Sequence, residues 1–165
     1  MNIIKSVLLV LLLFVFCFQS VMASQILIPV SVINVEKDLR IERALSIVGV
    51  SKNKEKIANA IKTASNEHNL TPEFIIALIH TESTFDKYAV SSKNYNGYMQ
   101  IPYSLYDARE NIMIGSRIMR EKLILTNGDL LLAICLYKGW GKNPPKQGLD
   151  QARRVINLYN KLIKT

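Results

Sequence analysis

Residues 71–83 read TPEFIIALIHTES, an apolar stretch with a recognisable helix start and a carboxylate near its end. Thr71 is a favourable N-cap residue, Pro72 suits the first helical position, and Glu73 places an acid in the first turn. The helix that follows is apolar on almost every side, which is typical of a helix at the centre of a domain. The sequence therefore predicts a buried central helix from residue 72 to about residue 83.

Helical patterns also flank this segment on both sides. Before it, four apolar side chains recur at the i, i+3, i+4, i+7 spacing of a helix, namely Ile57, Ala60, Ile61 and Ala64. After it, similar patterns cover residues 107–124, 130–136 and 148–163, and turns rich in Gly, Asn and Pro separate them. Strand signals are weak from residue 54 onwards. The predicted fold is therefore all-α, with the apolar helix at its centre.

The first 23 residues have the order of a secretory signal. Lys5 provides the positive charge, residues 7–18 form an unbroken apolar run, and residues 21–23 (Val-Met-Ala) resemble a cleavage site. The apolar run of about twelve residues is short for a membrane span, which needs about twenty. We expect an exported protein of the periplasm or cell envelope; the alternative is a membrane anchor that stays attached.

Residues 24–53 are the least readable part of the chain. Residues 25–35 alternate loosely, are rich in β-branched side chains and include Pro29, which suggests an edge strand or an extended arm. Residues 36–48 have a near-helical apolar spacing, with Leu39 and Leu45 among the apolar positions. We expect an N-terminal arm or short helix of open role, followed by one catalytic domain over residues 54–165.

The composition restricts the classes of partner. The formal net charge is +8, which favours polyanions such as nucleic acid, anionic lipid or a cell wall bearing carboxylates. Export and the scattered distribution of basic residues argue against nucleic acid. His80-Thr81-Glu82 spells the H-x-E of a zinc deaminase, but no P-C-x-x-C follows, so we expect neither a metal nor another cofactor.

Glu82 is the carboxylate at the end of the apolar helix. If its side chain faces inward, loss of water destabilises the charged form and raises the pKa of the carboxyl group. A glutamate with a raised pKa can donate a proton near neutral pH and accept one later, as general acid–base catalysis requires. On this feature alone, an exposed glutamate at the end of a helix is the simpler interpretation.

Five short motifs change that interpretation. They are Glu82-Ser83-Thr84-Phe85, Ala89-Val90-Ser91, Gly97-Tyr98-Met99-Gln100, Asn111-Ile112 with Gly115, and Leu136-Tyr137. Together they resemble the E-S-x-F, A-x-S, G-L-M-Q, N-I-x-x-G and A-Y-N motifs of the lytic transglycosylase (goose-type lysozyme-like) domain. The resemblance covers about residues 54–160. E-S-x-F followed at this distance by G-x-M-Q is the specific part.

The resemblance implies roles for the matching residues. Glu82 would be the single catalytic acid/base, and Ser91, Gln100 and Tyr137 would line the substrate groove with Met99 as an apolar wall. Core packing is the alternative for Met99 and Tyr137, and loop capping is the alternative for Ser91 and Gln100. Four further aromatic residues would stack on sugar rings, namely Tyr95, Tyr98, Tyr103 and Trp140.

The sequence departs from the family motifs at several positions. Tyr98 replaces the Leu of G-L-M-Q, and Lys138 replaces the Asn of A-Y-N. The segment between Gln100 and Asn111 is also shorter than usual. These changes alter the expected walls of the groove but leave Glu82 in place.

The implied function is cleavage of the MurNAc–GlcNAc β-1,4 bond of peptidoglycan with formation of a 1,6-anhydro-MurNAc end. The small size resembles the specialised transglycosylases of secretion, conjugation and pilus systems, whose components would then be partners. One alternative is a hydrolytic lysozyme that uses a second acid, with Asp86, Asp107 and Glu110 as the candidates. Another is a non-catalytic module that binds glycan or an assembly protein.

Overall fold

The computed structural model describes residues 30–165, and the expected signal segment lies outside them. Its helices are α1 (Val30–Ile47), α2 (Lys54–His68), α3 (Pro72–Ser83), α4 (Ala108–Leu125), α5 (Leu130–Tyr137) and α6 (Lys146–Leu162). Within this part of the chain, β-structure is limited to isolated bridges in the loop between α3 and α4. The all-α prediction is confirmed.

Helix α3 is the centre of the core. Every residue from Pro72 to Ile79 is buried, and the helix packs against α2 and α6. The ring of Phe74 meets the edge of Tyr159 of α6 with centroids 5.6 Å apart. Burial on all sides holds α3 rigidly, so a side chain in its last turn has a fixed position relative to the rest of the domain.

Helix α1 is longer than the sequence indicated. The edge strand or extended arm suggested for residues 25–35 is helical from Val30 on, and residues 25–29 lie outside the described part of the chain. Ile41, Ala44 and Leu45 enter the core, whereas Leu39, counted as an apolar position of the pattern, is 61% exposed. Helix α1 thus belongs to the packed domain.

The connection between α3 and α4 is an ordered loop rather than a helix or strand. It begins where Thr84 and Phe85 adopt successive left-handed conformations (φ 53° and 63°), which stop α3 immediately after Ser83. Asp107 ends the loop by capping α4, since its side chain accepts hydrogen bonds from the Arg109 and Glu110 amides. Across residues 30–165, no helix combines the length and apolar character needed to span a bilayer.

Candidate active site

Glu82 lies in the last turn of α3 with its side chain 12% exposed. The apolar run before it fixes the helix in the core, and the left-handed residues after it turn the chain away. The carboxylate is therefore held at the border between the core and the loop. This is the environment that the sequence suggested, and the alternative of a fully exposed glutamate is not what the structure shows.

Lys138 is the ion-pair partner of Glu82. Its Nζ atom lies 2.5 Å from Glu82 Oε1, and its side chain is 10% exposed. Lys138 is the C-cap residue of α5, where a positive charge also meets the negative end of the helix dipole. This contact joins α3 to the end of α5 and connects two residues that are 56 positions apart in the sequence.

Burial and the ion pair act on the pKa of Glu82 in opposite directions. Loss of hydration raises the pKa, while the charge and the hydrogen bond of Lys138 lower it, and the net direction is upward. Glu82 therefore keeps its proton to higher pH than an exposed glutamate does. The shift is in the direction that a general acid needs.

Tyr137 precedes Lys138 and connects the end of α5 to the loop between α3 and α4. Its hydroxyl donates a hydrogen bond of 2.6 Å to the carbonyl oxygen of Met99. Burial, assisted by the negative charge of Glu82, raises the pKa of this phenol well above its ordinary value. Tyr137 thus stays neutral, ties the end of α5 to the loop, and lies within electrostatic range of the carboxylate.

Gln100 and Ser91 shape the loop beside the site. The side-chain amide of Gln100 donates to the carbonyl oxygens of Ala89 and Gly97, both at 3.0 Å. The Ser91 hydroxyl accepts a hydrogen bond of 3.0 Å from the Tyr95 amide. These contacts are the loop-capping role held open as the alternative. Sugar binding by the remaining polar atoms of these two side chains stays a prediction.

Met99 and Tyr98 are core residues, which corrects their expected role as contacts for the glycan. Met99 is 0% exposed and packs directly on Gly115, where an added Cβ would approach its Cβ and Sδ to 2.5 and 2.6 Å. Tyr98 is 3% exposed, and its carbonyl oxygen accepts a 2.8 Å hydrogen bond from the Ser83 hydroxyl. The sequence could not separate apolar wall from core here, because both require the same residue types.

Asn111 connects the motif that begins with it to the motif Gly97-Tyr98-Met99-Gln100. Its Oδ1 accepts from the Met99 amide at 2.9 Å, and its Nδ2 donates to the carbonyl oxygens of Asn96 and Leu105. A Cβ on Gly97 would collide with this amide group. The Asn111 side chain therefore fits only because residue 97 is a glycine. Its hydrogen bonds in turn fix the backbone that precedes Gln100.

Trp140 lies at the junction of α5 and α6 rather than free in solution. Its ring covers Gly148, where an added Cβ would come within 2.7 Å, and its indole N–H donates to Gln151 Oε1 at 3.3 Å. The ring is partly exposed. Among the other aromatic candidates, Tyr103 is exposed and Tyr95 is half-buried, so both have accessible surface.

Two of the three candidate second acids are engaged in local contacts, and the third is exposed. Asp86 is exposed and accepts a hydrogen bond from the Tyr88 amide in its own turn. Asp107 caps α4 and pairs with Lys56 at 2.6 Å, and Glu110 is exposed on α4. Among residues 30–165, the ion-pair partner of Glu82 is a cation, and no cluster of His, Cys, Asp and Glu there could hold a metal ion.

A cavity of about 240 Å³ opens beside the end of α3. Its walls come from the turn after α1, including Val48, Val50 and Lys52, and from Thr84 and Phe85. A larger cavity of about 570 Å³ lies along α4 and includes neither Glu82 nor its neighbours. Glu82 and Lys138 line neither of these two cavities, so neither cavity is assigned to a ligand of Glu82.

Comparison with protein families agrees with this geometry. Residues 59–104 match the family model described as the transglycosylase SLT domain. This match supports a lytic transglycosylase-like domain. The matched segment includes all of α3, Glu82 and the loop through Gln100, and the helical architecture is that of a lysozyme-like SLT domain. The match supports, in general terms, a function of the lytic transglycosylase type.

Lys138 is the functional residue whose role sequence reasoning missed. Its position was visible as a departure from A-Y-N, but no sequence pattern indicated that its ammonium would reach Glu82. Two facts would have been needed: that α5 ends beside α3, and that a long cationic side chain at that end points inward.

Proposed function

We propose that this protein is a peptidoglycan lytic transglycosylase with Glu82 as its acid/base. The observation that carries the proposal is the environment of Glu82. The side chain is buried at the end of the central helix, and the charged group beside it is Lys138 rather than a second carboxylate. A hydrolase of the usual kind needs two carboxyl groups about 5–9.5 Å apart across the scissile bond. A transglycosylase needs one.

In the proposed reaction, Glu82 first donates its proton to the oxygen between N-acetylmuramic acid and N-acetylglucosamine. As the C1–O bond breaks, the acetamido group of the substrate stabilises the positive charge that develops at C1. The Glu82 carboxylate then takes the proton of the C6 hydroxyl, whose oxygen bonds to C1 and closes the 1,6-anhydro ring. The proton balance is zero and no water is consumed, so one group with a raised pKa performs both transfers.

The setting of this activity is also a proposal. Residues 1–23 have the features of an export signal, and the net charge of +8 suits a wall rich in carboxylates. We infer a periplasmic or envelope location and local remodelling of the wall. A chain this small fits the opening of gaps for a secretion, conjugation or pilus machine.

The Lys138–Glu82 pair is the observation that favours a second candidate. A carboxylate held by an ammonium is a poor proton donor while the pair lasts. A glycan-binding module without turnover would retain the groove and could keep this pair permanently. Hydrolysis has less support, because Asp86 and Asp107 are engaged in local contacts.

Digestion of purified sacculi, followed by mass spectrometry of the products, tests the proposal. The wild-type protein should release muropeptides with anhydro ends, and Glu82→Gln should reduce their rate by at least about 100-fold, as loss of a general acid does. Asp86→Asn is the matched control and should retain activity. Reducing-end products would instead show hydrolysis, and folded protein that binds sacculi without any product would show the binding module.

A further inference from the structure

The pair of Lys138 and Glu82 presents a chemical conflict for the proposed mechanism. A general acid must carry its proton before the substrate reacts, whereas an adjacent ammonium favours the deprotonated carboxylate. The two atoms are 2.5 Å apart, and both side chains are about nine-tenths buried. While Lys138 stays in this position, it lowers the fraction of Glu82 that can donate a proton.

The ammonium group of Lys138 can move away from Glu82. The ammonium is carried on a flexible four-carbon chain, so it can move several ångströms while the backbone stays fixed. The fixed parts around it do not depend on the pair: Tyr137 is anchored on the Met99 carbonyl, and the Lys138 amide bonds back to Ile134. Gly139 follows with no side chain to block the movement.

A second cation, Lys93, lies next to Gly139, the residue that follows Lys138. Lys93 Nζ approaches to 3.8 Å from the position that a Cβ on Gly139 would occupy. Tyr137 is the other titratable group that senses Glu82, and its raised pKa keeps it neutral. Lys138 is therefore the cation that acts on Glu82, and an anionic group that reached the Lys138–Gly139 segment would also lie close to Lys93.

We propose that Lys138 is a substrate-sensing positioning residue: a carboxylate on the glycan strand draws its ammonium away from Glu82, and strands that carry such carboxylates are the preferred substrates. No covalent bond changes in this step. The ammonium exchanges one carboxylate for another, and Glu82 takes up its proton from solvent. The carboxylate can belong to the lactyl group of muramic acid, where the peptide has been removed, or to the peptide stem. This inference rests on the proposed function.

Matched strands that differ only in charge test the inference. Sacculi with stems and amidase-stripped glycan are each used as they are and after amidation of their carboxylates with methylamine. The wild type should lose about tenfold or more in kcat/KM on the neutralised strands, a factor equal to one pKa unit. Loss on stripped glycan assigns the effect to the lactyl carboxylate, and loss on intact sacculi alone assigns it to the stem.

Variants separate Lys138 from general electrostatic attraction. Lys138→Met should cleave charged and neutralised strands at similar rates, and the alkaline limb of its kcat/KM profile should move to higher pH because Glu82 has lost its cation. Lys138→Arg keeps the charge and should restore the discrimination. Lys161→Met removes an exposed charge from α6 and should behave as the wild type. Unchanged discrimination in Lys138→Met, or an unmoved alkaline limb, overturns the inference.

A measurement without turnover separates this inference from the proposed function. Carboxyl ¹³C NMR of the free proteins should show Glu82 titrating at higher pH in Lys138→Met than in the wild type. If sacculi yield no anhydro product but this difference is present and stripped glycan raises the titration point of Glu82 in the wild type, the proposed function fails and the sensing role stands. If anhydro products form and the titration points coincide, the sensing role fails alone.

Discussion

Arg40 of α1 binds Glu73 of α3 through two hydrogen bonds, Nε to Oε1 at 2.7 Å and one terminal nitrogen to Oε2 at 2.8 Å. The Glu73 side chain is only 4% exposed, whereas Arg40 is 44% exposed. The pair therefore satisfies a buried carboxylate in the first turn of the helix whose last turn carries Glu82. It also fastens α1 to the central helix.

Replacement of Arg40 should be costly for this reason. Arg40→Met leaves the Glu73 carboxylate buried without its partner, and we expect the free energy of unfolding to fall by about 2–4 kcal/mol. Urea denaturation measures the loss. The exposed pair of Lys62 and Asp38 provides the control, since Lys62→Met should cost less than about 1 kcal/mol. Equal effects of the two variants would contradict the role given to Arg40.

Asn111 should control the order of the loop beside the site. Asn111→Ala removes three hydrogen bonds at once and leaves the Met99 amide without its acceptor. We expect a loss of about 2–4 kcal/mol in unfolding free energy and faster amide exchange over residues 96–105. Asn111→Asp retains the acceptor for Met99 and should protect that amide better. Unaltered exchange in the alanine variant would show that the loop is held by other contacts.

Gly115 should tolerate no larger residue. A Cβ at this position would stand 2.5 Å from Met99 Cβ, so Gly115→Ala must displace Met99 and should destabilise the protein by about 1–3 kcal/mol. Gly128, with open space around it, would be an unsuitable control because its φ is positive. The informative comparison is the double variant Gly115→Ala with Met99→Gly, because only removal of the Met99 Cβ takes away the 2.5 Å contact. If relief of the clash is the cause, its loss is smaller than the sum of the single losses.

Activity should depend on pH through the raised pKa of Glu82. The protonated form is the one that donates, so kcat/KM should fall as pH rises through the folded-state pKa, which lies above the pKa of an exposed glutamate. The pH profile of anhydro product formation reports this limb. A limb at or below the value of an exposed glutamate would show that the carboxylate is not desolvated when it reacts.

The free energy of unfolding should also depend on pH through Glu82, and it should fall as the pH rises. Because the folded pKa of Glu82 exceeds the unfolded value, its contribution is fully present below the unfolded pKa and is lost as pH rises through the folded pKa. Relative to Glu82→Gln, the wild type should therefore lose unfolding free energy as pH increases across that window. Urea denaturation of both proteins at several pH values measures the difference, and a constant difference would contradict the assigned shift.

The sequence predicted α3 well because several signals coincide there. Thr71, Pro72 and Glu73 mark the start, and the apolar run allows only a buried helix. Residues 30–35 carry strand-like side chains but form part of α1, whose Ile41 and Leu45 are buried in the core. The difference arises because tertiary contacts override weak local preferences.

The burial of Glu82 could be predicted from the sequence, but the residues that surround it could not. Glu82 stands out because a carboxylate interrupts an apolar helix. The ion pair with Lys138 joins positions far apart along the chain, and no local pattern encodes which helix end a lysine will meet. Tyr98 is buried and Tyr103 is exposed because of the way the loop folds. Since both residues are tyrosines, the residue type alone could not predict this difference.

Trp140 is the chain's single tryptophan, and it lies two residues after Lys138 with its ring on Gly148. Its fluorescence therefore comes from one place in the protein, the junction that carries the ammonium group. The proposed movement of Lys138 on arrival of a glycan strand would change the polarity around the indole and hence its emission. The protein thus contains its own optical probe, and strand binding can be followed without a label, even in variants that no longer cut.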